Sequence, residues 1–156
     1  MNKKPKVIAV LIAYKAEKTL RKFWADLPKK YFDEIILVDD ASGDKTFEIA
    51  KKLNGLEAYQ NQVNLGYGEN LKRALAIALD RNADIIVDLH PDGEYLPSAI
   101  PPALEKIQKG GYEFVVGNRF TSTDRLLNSG MHSWKVLPIL ALNYIDRLIL
   151  RIKITD

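Results

Sequence analysis

The sequence predicts one α/β domain built in three layers, with a largely parallel sheet between two layers of helices. Two observations carry this prediction. Short runs of β-branched and aliphatic residues alternate with segments whose apolar residues recur at helical spacing, a pattern typical of strands joined by crossover helices. In addition, 47% of the 156 residues are hydrophobic, enough to bury a core of this size.

The pattern predicts five strands, at residues 7–13, 34–38, 56–60, 84–89 and 113–116. Helices are predicted between them, and Leu71, Leu75 and Leu79 are expected to place one of these helices against the sheet. Pro97 is expected to open a helix that Gly110 and Gly111 end. Residues 134–152 are very apolar but interrupted by polar side chains, so we interpret them as a core or interfacial helix rather than a membrane span.

The composition excludes several classes of protein. There is no cysteine, which excludes disulfides, thiolate catalysis and zinc-thiolate sites. The net charge is only +3 and charges of both signs are interspersed, so no nucleic-acid partner is expected. The apolar run at residues 7–13 is too short for a signal-peptide core, and we therefore expect a cytoplasmic protein.

Polar loops follow three of the predicted strands, at residues 14–17, 39–44 and 88–94. In a doubly wound parallel sheet such loops converge on one edge, near the turn-forming residues 64–68, and ligands bind there. Each loop alone also has an ordinary structural interpretation, as a helix cap or a turn. Together they predict a ligand site.

The first loop argues against two common nucleotide-binding classes. A dinucleotide-binding Rossmann domain and a P-loop both need glycines after the first strand, so that the backbone can approach phosphate closely. Here the loop from Ala13 to Glu17 contains no glycine.

The third loop carries two carboxylates and an imidazole. Asp88, His90 and Asp92 alternate along the chain, so an extended backbone places them on one side. A strand followed by a plain polar turn is the ordinary alternative.

The motifs in order resemble the inverting family-two nucleotide-sugar glycosyltransferases, which have the Rossmann-like GT-A fold. The dolichyl- or polyprenyl-phosphate mannosyl- and glucosyltransferase branch is the most similar part of the family. The resemblance covers nearly the whole chain and rests on residues 10–17 (VLIAYKAE), 38–46 (VDDASGDKT), 64–68 (NLGYG), 92–95 (DGEY) and 117–120 (GNRF).

This resemblance implies a role for each matching residue. Asp92 would bind Mg2+ or Mn2+ at the diphosphate and act in catalysis, and Arg119 would be a further catalytic cation toward phosphate or acceptor. In the metal site, His90 and Asp88 would accompany Asp92. The expected nucleotide-binding residues are Ala13, Tyr14, Glu17, Asp39, Asp40 and Lys72, with the Tyr14 ring and the Asp40 carboxylate at the base.

One departure from the family pattern affects the metal site. His90 stands where the family usually has the first aspartate of an Asp-x-Asp motif. Imidazole suits Mn2+ better than Mg2+. Three outcomes stay open: a site biased to Mn2+, a site helped by Asp88, or weakened metal binding.

The predicted activity is transfer of a hexose, with inversion, from a GDP- or UDP-sugar to a lipid phosphate or a glycan. Residues 1–120 would form the donor-binding core, and residues 121–156 a mobile loop and an apolar helix that begin an incomplete acceptor region. A non-catalytic nucleotide-binding or interaction module is the alternative. A sugar-phosphate nucleotidyltransferase is disfavoured because its glycine- and arginine-rich first loop is missing.

The apolar segment at residues 134–152 bears on two further expectations. With its flanking Arg147, Arg151 and Lys153 it could contact the inner face of the membrane, whereas ordinary packing is the alternative. Exposure of Trp134 and the leucines after it would favour self-association.

Overall fold

A computed structural model describes residues 4–92 and 97–117. The chain divides into two compact units, of which the first ends at Ile100 and the second begins at Pro101. Every strand of the described residues belongs to the first unit. The predictions for Arg119, the loop at residues 121–133 and the helix at residues 134–152 lie outside the described residues.

Strands and helices alternate along the described residues, as the sequence predicts. The elements are β1 (Val7–Ala13), α1 (Leu20–Asp26), β2 (Glu34–Asp39), α2 (Thr46–Ala50), β3 (Glu57–Gln60), α3 (Tyr67–Asp80), β4 (Ile85–Leu89) and α4 (Ile100–Gly110). Single 3-10 turns at Lys29–Tyr31 and Pro97–Ala99 precede β2 and α4.

The strands form one parallel sheet in the order β3-β2-β1-β4. Its register sets Ala13 beside Asp39, and Leu11 beside Leu89. Because all four strands run in one direction, the loops that follow them emerge at the same edge of the sheet. The predicted α/β class with a parallel sheet is therefore confirmed.

Strand β1 lies at the centre of the sheet, and all of its residues are buried. Ile8 and Val10 of β1 pack in one cluster with Ile36 and Val38 of β2, beneath α3. A strand with neighbours on both sides and helices on its faces needs a continuous apolar sequence, which explains the pattern of residues 7–13. Full burial of each large aliphatic side chain stabilises the fold by about 1.5–3 kcal/mol. The end of β1 is therefore fixed in place, and so is the start of the loop after it.

Helix α3 contacts the sheet through small residues, which differs from the prediction. Leu79, expected on the buried face with Leu75, is 61% exposed, whereas Asn70, Ala74 and Ala78 are fully buried. Their spacing of four residues places them on one face of the helix. Alanine lets the helix backbone come close to the strands, and Leu75 packs at the side of the core.

The predicted strand at residues 113–116 is wrong, since none of residues 111–117 is in a strand. Phe114 is 81% exposed and Val116 is 65% exposed. Aromatic and β-branched residues favour a strand where a partner edge and a packing surface are present. In the described part of the chain this segment has no strand partner.

Helix α4 starts with two prolines in its first turn, where the missing N–H groups cost no helical hydrogen bond. It ends at Gly110, and Gly111 follows with a φ of 68°. Within residues 4–92 and 97–117, no helix is long and apolar enough to cross a membrane.

Arg81 joins three elements at the amino ends of the strands. Its guanidinium donates to Glu34 Oε2 at 2.7 Å and to Glu57 Oε2 at 2.6 Å. Hydrogen bonds from Lys6 and then Arg81 hold the pKa of Glu34 below its ordinary value, and a hydrogen bond from Arg81 does the same for the pKa of Glu57.

The lowered pKa values of Glu34 and Glu57 predict that these two carboxylates stabilise the fold at neutral pH and not in acid. Both carboxylates stabilise the fold above their ordinary pKa of 4.5 and lose that contribution as the pH falls through the lowered values. We expect Arg81→Gln to lower the free energy of unfolding by about 1 kcal/mol at neutral pH, because these groups are partly exposed and solvent screens them. Urea unfolding at several pH values measures the difference in free energy of unfolding between Arg81→Gln and the parent. This difference should shrink in acid.

Lys22→Gln is the matched control, since Lys22 and Asp26 form an exposed pair at 2.9 Å within one helix. That change should cost less than about 0.5 kcal/mol. If the free energy of unfolding of Arg81→Gln differed from that of the parent by a constant amount down to about pH 3, the role of the lowered carboxyl pKa values would be contradicted.

Candidate functional site

A cavity of about 320 Å3 opens at the edge of the sheet where β1, β2 and β4 end. It lies within the first unit and is bounded by the loops after these strands and by the start of α3. The residues that line it are Ile12, Ala13, Tyr14, Ala16, Asp40, Asn64, Gly66, Tyr67, Asn70, His90, Pro91 and Asp92.

The loop after β1 is held by side chains from the loop after β2 and from the start of α2. Lys15 N donates to Ser42 Oγ at 2.8 Å, and Ala16 N donates to Thr46 Oγ1 at 2.8 Å. Lys15 has a φ of 53°, a conformation uncommon for a residue with a side chain, and these bonds help to fix it. As a result Tyr14, which is 51% exposed, stands at the cavity.

Asp39 and Asp40 are adjacent and buried, but their carboxylates have different surroundings. Asp39 accepts hydrogen bonds from the Ser42 hydroxyl and from Gln60 Nε2, the latter at 2.9 Å. It does not line the cavity, whereas Asp40 does. Asp39 therefore fixes the loop after β2, and Asp40 is the carboxylate that lies at the cavity.

Asp40 also holds the turn that leads into α3. Its Oδ1 accepts from Asn61 Nδ2 at 2.6 Å and from Leu65 N at 2.8 Å, and its Oδ2 accepts from Gly66 N at 2.9 Å. A carboxylate has about four acceptor sites, and these bonds use three of them. Among residues 4–92 and 97–117, no donor occupies the fourth site, which is on Oδ2.

Asn61 orients Asp40 from outside the cavity lining, and the sequence did not predict this role. Its Nδ2 donates to Asp40 and to Asn70 Oδ1, the latter at 2.9 Å, while its Oδ1 accepts from Arg73. This set fixes the orientation of the amide and hence of the Asp40 carboxylate. The place of Asn61 in the sequence could have indicated this role, because Asn61 directly follows β3 at the edge of the sheet where the other polar loops emerge.

Gly66 has a φ of 81° and a ψ of 164°, a region that residues with a Cβ rarely enter. A Cβ there would meet no atom within 4 Å, so a substitution costs conformational strain rather than a clash. We expect Gly66→Ala to lower the free energy of unfolding by about 1–3 kcal/mol. Chemical denaturation measures this loss.

Gly68→Ala is the matched control for Gly66→Ala. Gly68 lies in the first turn of α3, has no positive φ, and also has open space at its Cβ position. Alanine there should leave stability unchanged or raise it by up to about 1 kcal/mol. Equal losses for both variants would show that backbone conformation is not what requires glycine at position 66.

The loop after β4 places His90 between an aromatic ring and a carboxylate. The rings of His90 and Tyr67 are stacked, with centroids 5.4 Å apart and planes inclined by 16°. His90 Nε2 lies 3.6 Å from Asp88 Oδ2. The Thr19 hydroxyl donates to Pro91 O, which ties this loop to the start of α1.

Burial and then the Asp88 carboxylate raise the pKa of the Tyr67 phenol above its ordinary value. A raised pKa of the Tyr67 phenol agrees with the position of this residue beside the loop after β4. Asp92, which is exposed, lines the same cavity.

The donor atoms near the cavity determine which kind of metal site the described residues could form. Among residues 4–92 and 97–117, no three His, Asp or Glu side chains are grouped to hold a metal ion. Mg2+ at a diphosphate is commonly held by one or two carboxylates, with phosphate oxygens and water completing its shell. Asp92 at the cavity, with His90 beside it, fits a shared site of this kind and not an all-protein cage.

The remaining predicted residues are dispersed. Glu17 Oε2 accepts from Lys45 N at 3.2 Å and does not line the cavity. Lys72 Nζ pairs with Glu69 at 2.6 Å and is largely exposed. Ala13, Tyr14, Asp40, His90 and Asp92 are the predicted residues that the structure brings together.

The chain belongs to glycosyl transferase family 2, whose family model matches residues 8–154. UDP-N-acetylglucosamine–dolichyl-phosphate N-acetylglucosaminyltransferase of Methanococcus voltae is 30% identical, across 96% of this chain and 65% of that protein. An uncharacterised protein of Methanocaldococcus jannaschii is also 30% identical, across 98% of this chain and 62% of that protein. The chain thus spans just under two thirds of both relatives.

Solved structures agree on the fold. Glucosyl-3-phosphoglycerate synthase of Mycobacterium tuberculosis superposes with a TM-score of 0.58 at 26% identity, covering 68% of this chain and 41% of that one. The same enzyme in complex with Mn2+, UDP and glucosyl-3-phosphoglycerate gives a TM-score of 0.56 at 24% identity, covering 67% and 40%. The Rossmann-like GT-A fold and the family predicted from the motifs are confirmed.

Proposed function

We propose that this chain carries the donor site of a glycosyltransferase that moves a hexose unit from a nucleoside-diphosphate sugar to a polyprenyl phosphate. One observation carries the proposal. A single cavity in a family 2 chain joins an aromatic ring, a buried carboxylate with a remaining acceptor site, and an exposed carboxylate, in Tyr14, Asp40 and Asp92.

The base is bound at the Asp40 end of the cavity. Tyr14 offers an exposed ring for stacking, beside Ala13. The remaining acceptor site of Asp40 requires an N–H donor in the plane of the base. Uracil and guanine offer a ring N–H and cytosine offers its exocyclic amino group in the same plane, so this contact alone does not select among UDP, GDP and CDP. The name of the Methanococcus voltae relative supports UDP.

The diphosphate is bound toward Asp92, at the end of β4. Asp92, with His90 beside it, would hold Mg2+ or Mn2+ together with phosphate oxygens, and the metal would neutralise charge on the departing nucleoside diphosphate. Asp88, 3.6 Å from His90 Nε2, would accompany His90. Arg119 is proposed as a second cation toward phosphate. Glu17, Asp39 and Lys72 have weaker support, because none of them lines the cavity.

In the proposed reaction an oxygen of the acceptor phosphate attacks C1 of the sugar from the face opposite the diphosphate. The new C1–O bond forms as the bond to the nucleoside diphosphate breaks, so the configuration at C1 inverts. The phosphate nucleophile is already an anion, and the step needs no general base to remove a proton.

We propose a polyprenyl phosphate as the acceptor. The Methanococcus voltae protein is named for dolichyl phosphate, which supports a lipid phosphate. We assign donor binding to residues 1–120 and acceptor contact to residues 121–156. Peripheral membrane contact and self-association through residues 134–152 remain predictions of the sequence.

A transfer assay tests the proposed function. The purified chain is incubated with radiolabelled UDP-N-acetylglucosamine, UDP-glucose or GDP-mannose, with polyprenyl phosphate in detergent and with Mn2+ or Mg2+. We expect label in the lipid fraction with a UDP-sugar and none in the presence of chelator. Nucleotide binding without transfer or donor hydrolysis would instead support the non-catalytic alternative.

A further inference from the structure

Tyr67 lines the cavity and belongs to the motif at residues 64–68, but the family resemblance assigns it no role. It is the first residue of α3 and follows Gly66, whose N–H is bonded to Asp40. It therefore stands between the carboxylate at the end of β2 and the loop after β4. Tyr67 is 60% exposed as a residue, although one face of its ring is stacked on His90.

The contact restricts the imidazole in a specific way. A stacked neighbour covers the face of a ring, whereas both nitrogens of an imidazole lie on its edge and point in the ring plane. Tyr67 therefore limits the tilt of His90 without covering its nitrogens. The Asp88 carboxylate lies 3.6 Å from Nε2, which is too far for a hydrogen bond, so it places negative charge near the edge of the ring and does not fix its rotation.

We propose that Tyr67 is a positioning residue of the donor site, which acts by stacking on His90 and holding the imidazole in one orientation beside Asp92. This inference rests on the proposed function, since the ligand concerned is a nucleoside diphosphate with its metal. His90 is 15% exposed and lines the cavity, so a fixed ring there shapes the wall that the diphosphate meets. Without the stack the ring would have more rotational freedom, which would be lost when the nucleotide binds, and ordering a side chain weakens binding.

Two variants separate the ring from the hydroxyl. Tyr67→Phe keeps the stack and should bind UDP with Mn2+ as the parent does. Tyr67→Ala removes the stack and should weaken binding by about tenfold. Tyr31→Ala is the control, because Tyr31 is an exposed tyrosine on the 3-10 turn before β2, away from the cavity.

A double-mutant cycle tests whether Tyr67 acts through His90. If it does, Tyr67→Ala causes no further loss of UDP affinity in a His90→Ala background. Equal losses in both backgrounds would overturn the inference and leave the proposed function intact. Failure of the parent to bind UDP or GDP with either metal would overturn both.

Proton NMR can detect the stack of Tyr67 on His90 without a ligand. The chain has two histidines, His90 and His132. The ring protons of His90, assigned by their loss in His90→Ala, should be shifted upfield by the Tyr67 ring. Tyr67→Ala should abolish that shift, while Tyr67→Phe and Tyr31→Ala should retain it. A His90 signal that is the same in Tyr67→Ala and in the parent would overturn the inference.

Discussion

Replacing Asp40 with alanine is expected to abolish detectable nucleotide binding and to lower the free energy of unfolding by about 3 kcal/mol. The carboxylate accepts hydrogen bonds from Asn61, Leu65 and Gly66. Its removal leaves these donors without their partner in a buried place, and each such donor costs about 1–3 kcal/mol unless water reaches it. The ligand loses its acceptor at the same time. Calorimetric titration with UDP and urea unfolding measure the two effects.

Asp39→Asn is the matched control, because Asp39 is the neighbouring buried carboxylate and does not line the cavity. It should lose stability, since its bonds to Ser42 and Gln60 are disturbed. Its affinity for UDP, measured below the unfolding transition, should fall much less than that of Asp40→Ala. Equal affinities for the two variants would contradict a direct role for Asp40 at the base.

The second large effect is expected for Asp92→Asn, which should weaken metal-dependent binding of UDP about 100-fold, or about 2.7 kcal/mol. The amide keeps the size of the side chain but removes the charge that a hard cation requires. Because Asp92 is exposed, stability should change by less than about 0.5 kcal/mol. Titrations with Mn2+, with Mg2+ and with chelator measure the metal-dependent part.

Asp80→Asn is the control for the change of charge. Asp80 is an exposed aspartate at the carboxyl end of α3, whereas the cavity is at the amino end of that helix. Its titration should match that of the parent. If Asp92→Asn bound UDP with Mn2+ as tightly as Asp80→Asn does, Asp92 would not be a metal ligand.

The sequence predicted the parts of the fold that depend on local pattern. The strand at residues 7–13 was predicted with its observed bounds, because a central strand buried on both faces needs an unbroken apolar run. The convergence of the loops carrying Tyr14, Asp40 and Asp92 followed from the parallel sheet alone.

Other features depended on tertiary contacts and could not be predicted. The buried face of α3 is set by how closely a helix can approach the sheet, so Ala74 and Ala78 are buried where Leu79 was expected. The bonds that join Asn61 to Asp40 and Asn70 link residues nine or more positions apart, which no periodicity reveals. The stack of Tyr67 on His90 brings together two turns that are distant in the sequence.

A chemical-shift map of the isotopically labelled chain, recorded with and without UDP and Mn2+, tests most directly whether this cavity is the donor site. We expect the largest changes at the amides of Leu65 and Gly66, at Tyr14, and at the loop with His90 and Asp92. Little change is expected at the opposite edge of the sheet around Arg81. Saturable changes centred on Arg81, or no changes at millimolar UDP, would show that the cavity is not a nucleotide-sugar site.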